Sequence, residues 1–204
     1  MKTRHRRHAN PFNFRQSLTP VNLDEIFKRK APVEVEIGFG KGQFLLTLAK
    51  QRPDFNYVGL EIRPFLVEQV QARAKILELS NVHTIHCNAN TALNQLFKEQ
   101  SIARFYVNFP DPWFKKRHTK RRVINLDTAR MIKSLLAPGG EIHVMTDYEP
   151  IAIDMLQSLE QAGFRNLKEP GRMADTSTTG ISSEREDWHM SQKDPIYRFS
   201  LARE

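Results

Sequence analysis

The stretch Val33-Glu34-Val35-Glu36-Ile37-Gly38-Phe39-Gly40-Lys41-Gly42 decides the fold of this chain. Apolar and acidic residues alternate over 33–37, which predicts a β-strand that runs into a tight turn at Gly38. Glycines at alternate positions let the backbone turn sharply and approach a ligand with no Cβ in the way. Residues 41–51 then carry apolar side chains at helical spacing, and Pro53 stops them. The stretch therefore predicts a strand, a ligand-binding loop and a helix in succession.

Strand and helix patterns keep alternating on the C-terminal side of this stretch. The predicted strands are 57–60, 82–86, 105–109 and 141–146, and the predicted helices are 64–79, 89–98, 124–136 and 150–162. Successive strand–helix units imply an α/β fold with a doubly wound, mostly parallel sheet and helices on both faces. A strand-like run at 196–199 is expected to add to one edge. Residues 1–20 are predicted to form a flexible basic arm, followed by a single domain over 21–204.

The composition of the 204 residues argues against several classes of protein. No run of about 18 apolar residues exists, so neither a membrane-spanning helix nor a membrane partner is expected. The N-terminus lacks the apolar segment of a secretory signal. The single cysteine, Cys87, cannot form a disulfide within the chain, and packing is expected of it rather than chemistry. These features together predict a cytoplasmic protein.

Positive charge is concentrated in two octets, 1–8 and 115–122. They hold ten Lys and Arg residues and no acid, whereas the whole chain has a net charge of +8, so the rest of the molecule is slightly acidic. Concentrated cations suit a polyphosphate partner, because each phosphate contact releases a counterion. For 1–8, a solvated tail or a targeting segment is an alternative interpretation.

Two glutamates predict a ligand site at the carboxyl ends of the first two strands, where such sheets bind ligands. Glu61 lies 25 residues after Glu36, near the spacing of an acid that accepts hydrogen bonds from a ribose diol. Glu36 would repel a pyrophosphate and attract a sulfonium or an ammonium group. The pattern is GxGxG, because Gln43 stands where the dinucleotide fingerprint has glycine. These features favour S-adenosylmethionine over a nicotinamide or a flavin; the alternative is a pair of ordinary solvated acids.

A rigid acidic segment, Asn108-Phe109-Pro110-Asp111-Pro112-Trp113-Phe114, follows the fourth predicted strand. The two prolines restrict the backbone on both sides of Asp111. Trp113 could stack on a base that has left its helix, or it could pack in the core. The basic octet 115–122 follows at once. We therefore expect a site for a base, a methyl donor and phosphates at this place.

This segment, with Lys115 and the run Arg117-His118-Thr119-Lys120-Arg121-Arg122, resembles the signature of bacterial tRNA (guanine-N7)-methyltransferases. So do residues 36–42, the Gly59-Leu60-Glu61 strand end and Thr146-Asp147-Tyr148, and the resemblance extends over about 33–200. It implies a class I S-adenosylmethionine-dependent methyltransferase (Rossmann-like) fold with an antiparallel closing strand. It also implies methylation of N7 of a guanosine in the variable loop of tRNA.

The resemblance further implies a role for individual residues. The methyl donor is expected to contact Glu36, Gly38, Gly40, Glu61, Asn88 and Asp111, and Asp111 is also the expected catalytic residue. The substrate is expected to contact Lys115, Asp147, Ser183 and Glu186, and the RNA is expected to contact Arg117, His118, Thr119, Lys120, Arg121 and Arg122. Two positions depart from the family pattern, because Asn88 stands where the family has Asp and Ser183 stands where its Thr-x-x-Glu motif has Thr. Asn88, at the predicted end of the third strand, could meet the adenine.

Guanine N7 carries a free lone pair, so methyl transfer requires no general base and depends on positioning and charge. Asp111 is expected to hold the Watson–Crick edge of the guanine and to supply a negative field, and Asp147 is expected to orient the base similarly. No metal is expected, because neither His5 and His8 nor His83 and His86 have ligands at zinc-like spacing.

Three alternative functions remain open at this point. The chain could methylate another target, such as an exocyclic amine or a protein side chain, or it could bind RNA without catalysis. A nicotinamide oxidoreductase is disfavoured by Gln43 and Glu36. The expected partner is tRNA, and the pattern does not distinguish a monomer from a homodimer.

Overall fold

The computed structural model describes residue 14 and residues 18–169, 171, 173–174 and 179–204. Most of the predicted arm lies outside the described residues, while Phe14 and Leu18 pack against the core. The strands form one sheet in the order β3-β2-β1-β4-β5-β7-β6. Their bounds are β1 Val33–Ile37, β2 Asn56–Glu61, β3 Val82–His86, β4 Ile102–Asn108, β5 Leu136–Thr146, β6 Phe164–Asn166 and β7 Tyr197–Arg203.

The first five strands are parallel, and β7 pairs antiparallel with both β5 and β6. The predicted α/β sheet with an antiparallel closing strand is therefore confirmed. β1 lies in the middle of the parallel part and is buried along its whole length, including the carboxylates of Glu34 and Glu36. The negative charge of Glu34 is compensated there by Arg52 and Arg104, which donate hydrogen bonds to its oxygens, as does the Tyr106 hydroxyl.

Seven α-helices lie around the sheet in the part of the chain that the structure describes. Their bounds are α1 Leu23–Phe27, α2 Gln43–Gln51, α3 Pro64–Ile76, α4 Ala89–Leu96, α5 Leu126–Leu135, α6 Glu149–Gln161 and α7 Glu184–Gln192, and a 3-10 helix spans Lys116–Arg121. Two apolar clusters result, since successive strand residues point to opposite faces. Phe105 and Val107 pack with α4, α5 and α6 on one face, whereas Tyr106 packs with α2 and α3 on the other. Among the described residues, no helix has the length and apolar character needed to cross a membrane.

Several element bounds differ from the sequence prediction. β5 begins at Leu136 and continues through the Pro138-Gly139-Gly140 segment, because Leu136 pairs with Ile102 across a register irregularity. The predicted strand began only at 141. α1, β6 and α7 were not predicted; the first two are short, and the pattern of α7 is polar.

Candidate functional site

The candidate site lies at the carboxyl ends of β1, β2, β4 and β5, where the strands are followed by loops. Glu36 is the penultimate residue of β1, Glu61 is the last of β2, and Asp147 follows the last residue of β5. Asp111 lies in the loop three residues after β4 ends at Asn108. The topology thus brings the four predicted carboxylates to one edge of the sheet.

The glycine loop between β1 and α2 has a left-handed backbone at all three glycines. The φ angles are +78° at Gly38, +58° at Gly40 and +76° at Gly42, a region that favours glycine. A Cβ at Gly42 would lie 2.6 Å from Val70 Cγ1, so this glycine allows α2 and α3 to pack closely. A Cβ at Gly38 would meet nothing within 4 Å. The space beside Gly38 is therefore open for a ligand.

Glu36 has a buried carboxyl group with one hydrogen-bonded oxygen. Its Oε1 accepts a hydrogen bond of 3.0 Å from Asn108 Nδ2, while its Oε2 and Asn108 Oδ1 are buried acceptors that have no hydrogen-bond partner. Burial raises the pKa of Glu36 to about 8, and the negative charge of Glu61 contributes to the increase. Buried acceptors without partners are costly, and a bound group rich in N–H donors would satisfy them.

Glu61 is also buried, but both of its oxygens accept hydrogen bonds. The donors are the backbone N–H groups of Gly40, Ile62 and Arg63 and the guanidinium of Arg63, whose Nη2 lies 2.9 Å from Oε2. These hydrogen bonds, and to a smaller extent the charge of Asp111, raise the pKa of Arg63. Arg63 is therefore paired with Glu61 and interacts electrostatically with Asp111.

Asn88 does not end the third strand, as the sequence suggested. β3 ends at His86, and Asn88 is the buried N-cap residue of α4, where its side chain accepts a hydrogen bond of 3.2 Å from Asn90 N. Helix capping is a common role of Asn at such a position. Cys87 beside it is buried, which raises the pKa of its thiol to about 12, in keeping with the packing role predicted for it.

The loop that carries Asp111 has a strained residue on either side of it. Phe109 and Trp113 have φ angles of +48° and +45°, which bulky residues rarely adopt. Phe109 is held by its N–H, which donates to Met145 O, and by stacking on the His189 ring with centroids 5.4 Å apart. Trp113 is partly buried, with the Arg121 guanidinium over its ring. Such strain persists only where the surroundings dictate the backbone, which is typical of functional loops.

Asp147 is partly buried and bound by α7. The Arg185 guanidinium donates to both of its oxygens at 2.9 and 3.1 Å, and His189 Nε2 lies 3.2 Å from Oδ2. Burial opposes ionisation of Asp147, but the charge and hydrogen bonds of Arg185 outweigh it and lower the pKa. Asp147 is therefore a carboxylate at neutral pH, close to the strained loop through His189 and Phe109.

Ser183 and Glu186 lie at the start of α7. The Ser183 hydroxyl accepts a hydrogen bond from Glu186 N, and Glu186 Oε1 accepts two from Arg198 of β7, at 2.6 and 2.9 Å. Glu186 Oε2 is a buried acceptor without a hydrogen-bond partner, like Glu36 Oε2. The same helix contacts the glycine loop, because Glu184 pairs with Lys41 at 2.7 Å. The predicted Ser183–Glu186 motif thus adjoins the rest of the site.

The predicted RNA-contact segment, 117–122, is mostly the 3-10 helix after the Asp111 loop. Lys115, Arg117, Thr119 and Lys120 are exposed. Desolvation and the neighbouring cations lower the pKa of His118, which indicates a positive potential there. Arg122 differs, because its guanidinium is only 14% exposed, pairs with Asp154 at 2.7 Å and donates to Pro112 O. In this structure Arg122 therefore links the Asp111 loop, at Pro112, to Asp154 of α6.

Sequence reasoning assigned no role to Asn108, Arg63, Arg185 or His189, although each contacts a predicted site carboxylate. Asn108 and Arg63 were within or beside quoted motifs, so their proximity was available as a signal. Arg185 and His189 belong to α7, whose place in the fold could not be read from its polar pattern. Within the described part of the chain, no group of three or more His, Cys, Asp or Glu residues could hold a metal ion.

The chain is similar to known methyltransferases in sequence and in fold. A family model described as "Putative methyltransferase" matches residues 30–199. The tRNA (guanine-N(7)-)-methyltransferase of a Synechococcus species is 38% identical over 203 residues, covering 97% of this chain and 84% of that protein. The protein of the same name from Trichormus variabilis is 34% identical and covers 95% of this chain and 93% of its own length. The crystal structure of the 16S rRNA methyltransferase KamB superposes with a TM-score of 0.65 at 15% identity, over 92% of this chain and 94% of that chain, which confirms the fold.

Proposed function

The chain belongs to the family of tRNA (guanine-N7)-methyltransferases, and from that premise we propose that it transfers a methyl group from S-adenosylmethionine to N7 of a guanosine in the variable loop of tRNA. The observation that carries the proposal is the joining of two predicted sites at one sheet edge. Glu36 accepts a hydrogen bond from Asn108 at the end of β4, and Arg63, which pairs with Glu61, also interacts electrostatically with Asp111. A donor pocket and an acceptor pocket that share an edge are what direct methyl transfer requires.

The donor pocket suits a cationic ligand with N–H donors. Glu36 Oε2 and Asn108 Oδ1 are buried acceptors that an ammonium group would satisfy, and Gly38 leaves room for its approach. Glu61 is the acid for the ribose hydroxyls, which would share its oxygens with Arg63. Asn88, the buried N-cap of α4 that follows β3 by two residues, would meet the adenine. S-adenosylmethionine, when bound, supplies an electrophilic methyl group on a cationic sulfur.

The acceptor pocket is formed by Asp111 and Asp147. Guanine presents N–H donors on its Watson–Crick edge, and a carboxylate accepts them while N7 stays free to attack. Positive charge moves onto the base as the methyl group is transferred, so a nearby carboxylate stabilises the transition state more than the encounter complex. The strained residues on both sides of Asp111 hold that carboxylate in place. Asp111 is thus the catalytic residue of the proposal, although it removes no proton.

The remaining predicted contacts bind the tRNA. Lys115, Arg117 and Lys120 are exposed cations beside the acceptor pocket, and phosphates are their natural partners. Ser183 caps α7, and Glu186 holds the start of that helix against β7 through Arg198. The helix carries Arg185, which binds Asp147, and Glu186 Oε2 is left for the substrate.

The proposal is tested by incubating the purified protein with tRNA and methyl-labelled S-adenosylmethionine, then digesting to nucleosides. We expect label in 7-methylguanosine, and an otherwise identical tRNA transcript whose variable-loop guanosine is replaced by adenosine should remain unlabelled. Label in another nucleoside, or label in the substituted transcript at the wild-type level, would contradict the proposed target. Asp111→Asn should lower kcat at least tenfold with the fold intact, and unchanged turnover would remove Asp111 from the mechanism.

A further inference from the structure

Four aromatic side chains are exposed among the residues that the structure describes, and all lie around one end of the sheet. Phe65, Phe114 and Tyr148 follow the carboxyl ends of β2, β4 and β5, with exposures of 55%, 68% and 40%. Trp188, 55% exposed, lies on α7 and contacts His189, the partner of Asp147. Single exposed apolar residues need no explanation, but their confinement to one edge is typical of a binding surface.

Phe114 and Tyr148 form a pair within this group. Their ring centroids are 5.1 Å apart and the rings are nearly perpendicular, at 87°. Phe114 comes three residues after Asp111, and Tyr148 comes directly after Asp147. The pair therefore lies beside both carboxylates of the acceptor pocket and keeps much of its aromatic surface open to solvent.

Trp113 is less suited to hold a base, although the sequence offered it for that purpose. It is partly buried and lies between the Arg121 guanidinium and the His118 ring, with centroid distances of 5.1 and 5.8 Å. Its surroundings support the strained loop. The side chain of Phe114, the next residue, is exposed to solvent instead.

The charge around the pair indicates the kind of partner. Exposed Lys115, Arg117 and Lys120 follow Phe114 directly. The cores of protein interfaces are depleted in lysine, whereas single-stranded nucleic acid is bound by aromatic rings interleaved with cations. We infer that Phe114 and Tyr148 form a stacking platform for an unpaired nucleobase next to the guanosine that is methylated. This inference rests on the proposed function, since tRNA supplies the nucleobase.

The test compares leucine and aromatic substitutions at both positions. Phe114→Leu and Tyr148→Leu keep apolar bulk but lose the ring, and each should weaken binding of a tRNA transcript about tenfold, the effect of losing one stacked base. Phe114→Trp and Tyr148→Phe should bind within about twofold of the unaltered protein. The slope of log Kd against log salt should stay the same in all four, because no charge is removed. Ile76→Ala is the matched control, since Ile76 is 79% exposed at the far end of α3 and should change nothing.

Leucine variants that bind tRNA like the unaltered protein would overturn the platform. So would a change in oligomeric state, measured by light scattering, that accompanies the loss of affinity, because the rings would then join copies of the chain. Methylation of tRNA by the unaltered protein is measured in the same preparations. If 7-methylguanosine forms while the leucine variants bind normally, only the platform fails; if no 7-methylguanosine forms, the proposed function fails as well.

Discussion

At the scale of single residues, the environment of Glu36 has the largest consequences. Its carboxyl group is buried on β1, the middle strand of the parallel part of the sheet; one oxygen accepts a hydrogen bond from Asn108 and the other has no hydrogen-bond partner. A carboxyl group in that position is held largely protonated at neutral pH, since burial raises its pKa to about 8. A cationic ligand beside it would favour the ionised form.

Binding of S-adenosylmethionine should therefore release a proton near pH 7. The affinity should rise as the pH increases toward 8 and then level off, because ionised Glu36 binds the cation more tightly. Titration calorimetry in two buffers of different ionisation enthalpy measures the proton directly. Glu36→Gln should lose both the proton release and most of the affinity. A binding enthalpy that is the same in both buffers would contradict this role of Glu36.

The same pKa gives a prediction for stability. The folded-state pKa of Glu36 is about 8, above its ordinary value of 4.5, so its contribution to stability is complete below pH 4.5 and is lost as the pH rises through 8. Glu36→Gln should gain stability over the unaltered protein as the pH rises from 5 to 9, by a few kcal/mol. Urea unfolding at several pH values measures the difference. A stability difference that does not change with pH would show that the pKa of the Glu36 carboxyl group is not raised in the folded protein.

Two glycines of the same loop should respond differently to alanine. Gly42→Ala adds a Cβ that meets Val70 at 2.6 Å, as well as a strained φ, and should cost about 2–4 kcal/mol of unfolding free energy. Gly38→Ala adds only the strain, about 1–2 kcal/mol, but places a methyl group in the open space for the donor. Donor affinity should therefore fall more in Gly38→Ala, and the free energy of unfolding should fall more in Gly42→Ala. Urea unfolding and donor titration of both proteins decide this, and equal effects on donor affinity would contradict it.

At the scale of elements, α7 and the loop from 109 to 122 form the acceptor side together. His189 of α7 stacks on Phe109 of the loop. Arg185 of α7 pairs with Asp147, the residue after β5, and Glu186 pairs with Arg198 of β7. From the other side, α6 supports the loop through the ion pair between Asp154 and Arg122. The loop can hold strained residues because packed elements surround it.

The pair between Asp154 and Arg122 separates two roles for Arg122. If Arg122 supports the loop, Asp154→Ala should lower kcat/KM for tRNA several-fold without changing the salt slope of binding. If Arg122 contacts phosphate instead, Asp154→Ala would release it, and tRNA binding would stay the same or tighten. Methylation rates and binding isotherms at several salt concentrations distinguish the two. Asp127→Ala, at an exposed acid in the first turn of α5, is the matched control.

At the scale of the whole molecule, charge is distributed unevenly. The body of the chain is slightly acidic, and a described basic surface, 115–122, lies beside the acceptor pocket. A distribution of this kind orients a polyanion with its backbone on the cations and places one base at the pocket.

Removing exposed cations from this surface should lower the salt dependence of tRNA binding. Lys120→Ala should reduce the magnitude of the slope of log affinity against log salt by roughly 0.9, and Arg117→Ala combined with it by roughly twice that amount. Filter binding at four or five salt concentrations measures the slope. Lys50→Ala is the control, since Lys50 is also exposed but lies in the last turn of α2, at the end of that helix opposite the glycine loop. A slope that is unchanged in the double variant would exclude the segment as a phosphate contact.

The sequence predicted the parallel part of the fold well, because strand and helix periods alternate clearly over 33–162 and the glycine loop marks the start. The sequence also predicted that four carboxylates lie close together, because the carboxyl ends of parallel strands meet at the same edge of the sheet. They are those of Glu36, Glu61, Asp111 and Asp147. What it missed depends on long-range contacts. Arg185 and His189 reach Asp147 only because α7 lies beside the carboxyl end of β5, and no local pattern encodes that position.

The order of strands has a consequence for how the protein is made. β6 is synthesised before β7, yet β7 lies between β5 and β6 and is the strand that pairs with each of them. Until β7 emerges from the ribosome, β5 has an open edge and β6 has no neighbour in the sheet. An open edge pairs readily with other chains, so the chain that still lacks β7 should be most prone to aggregation and most dependent on chaperones.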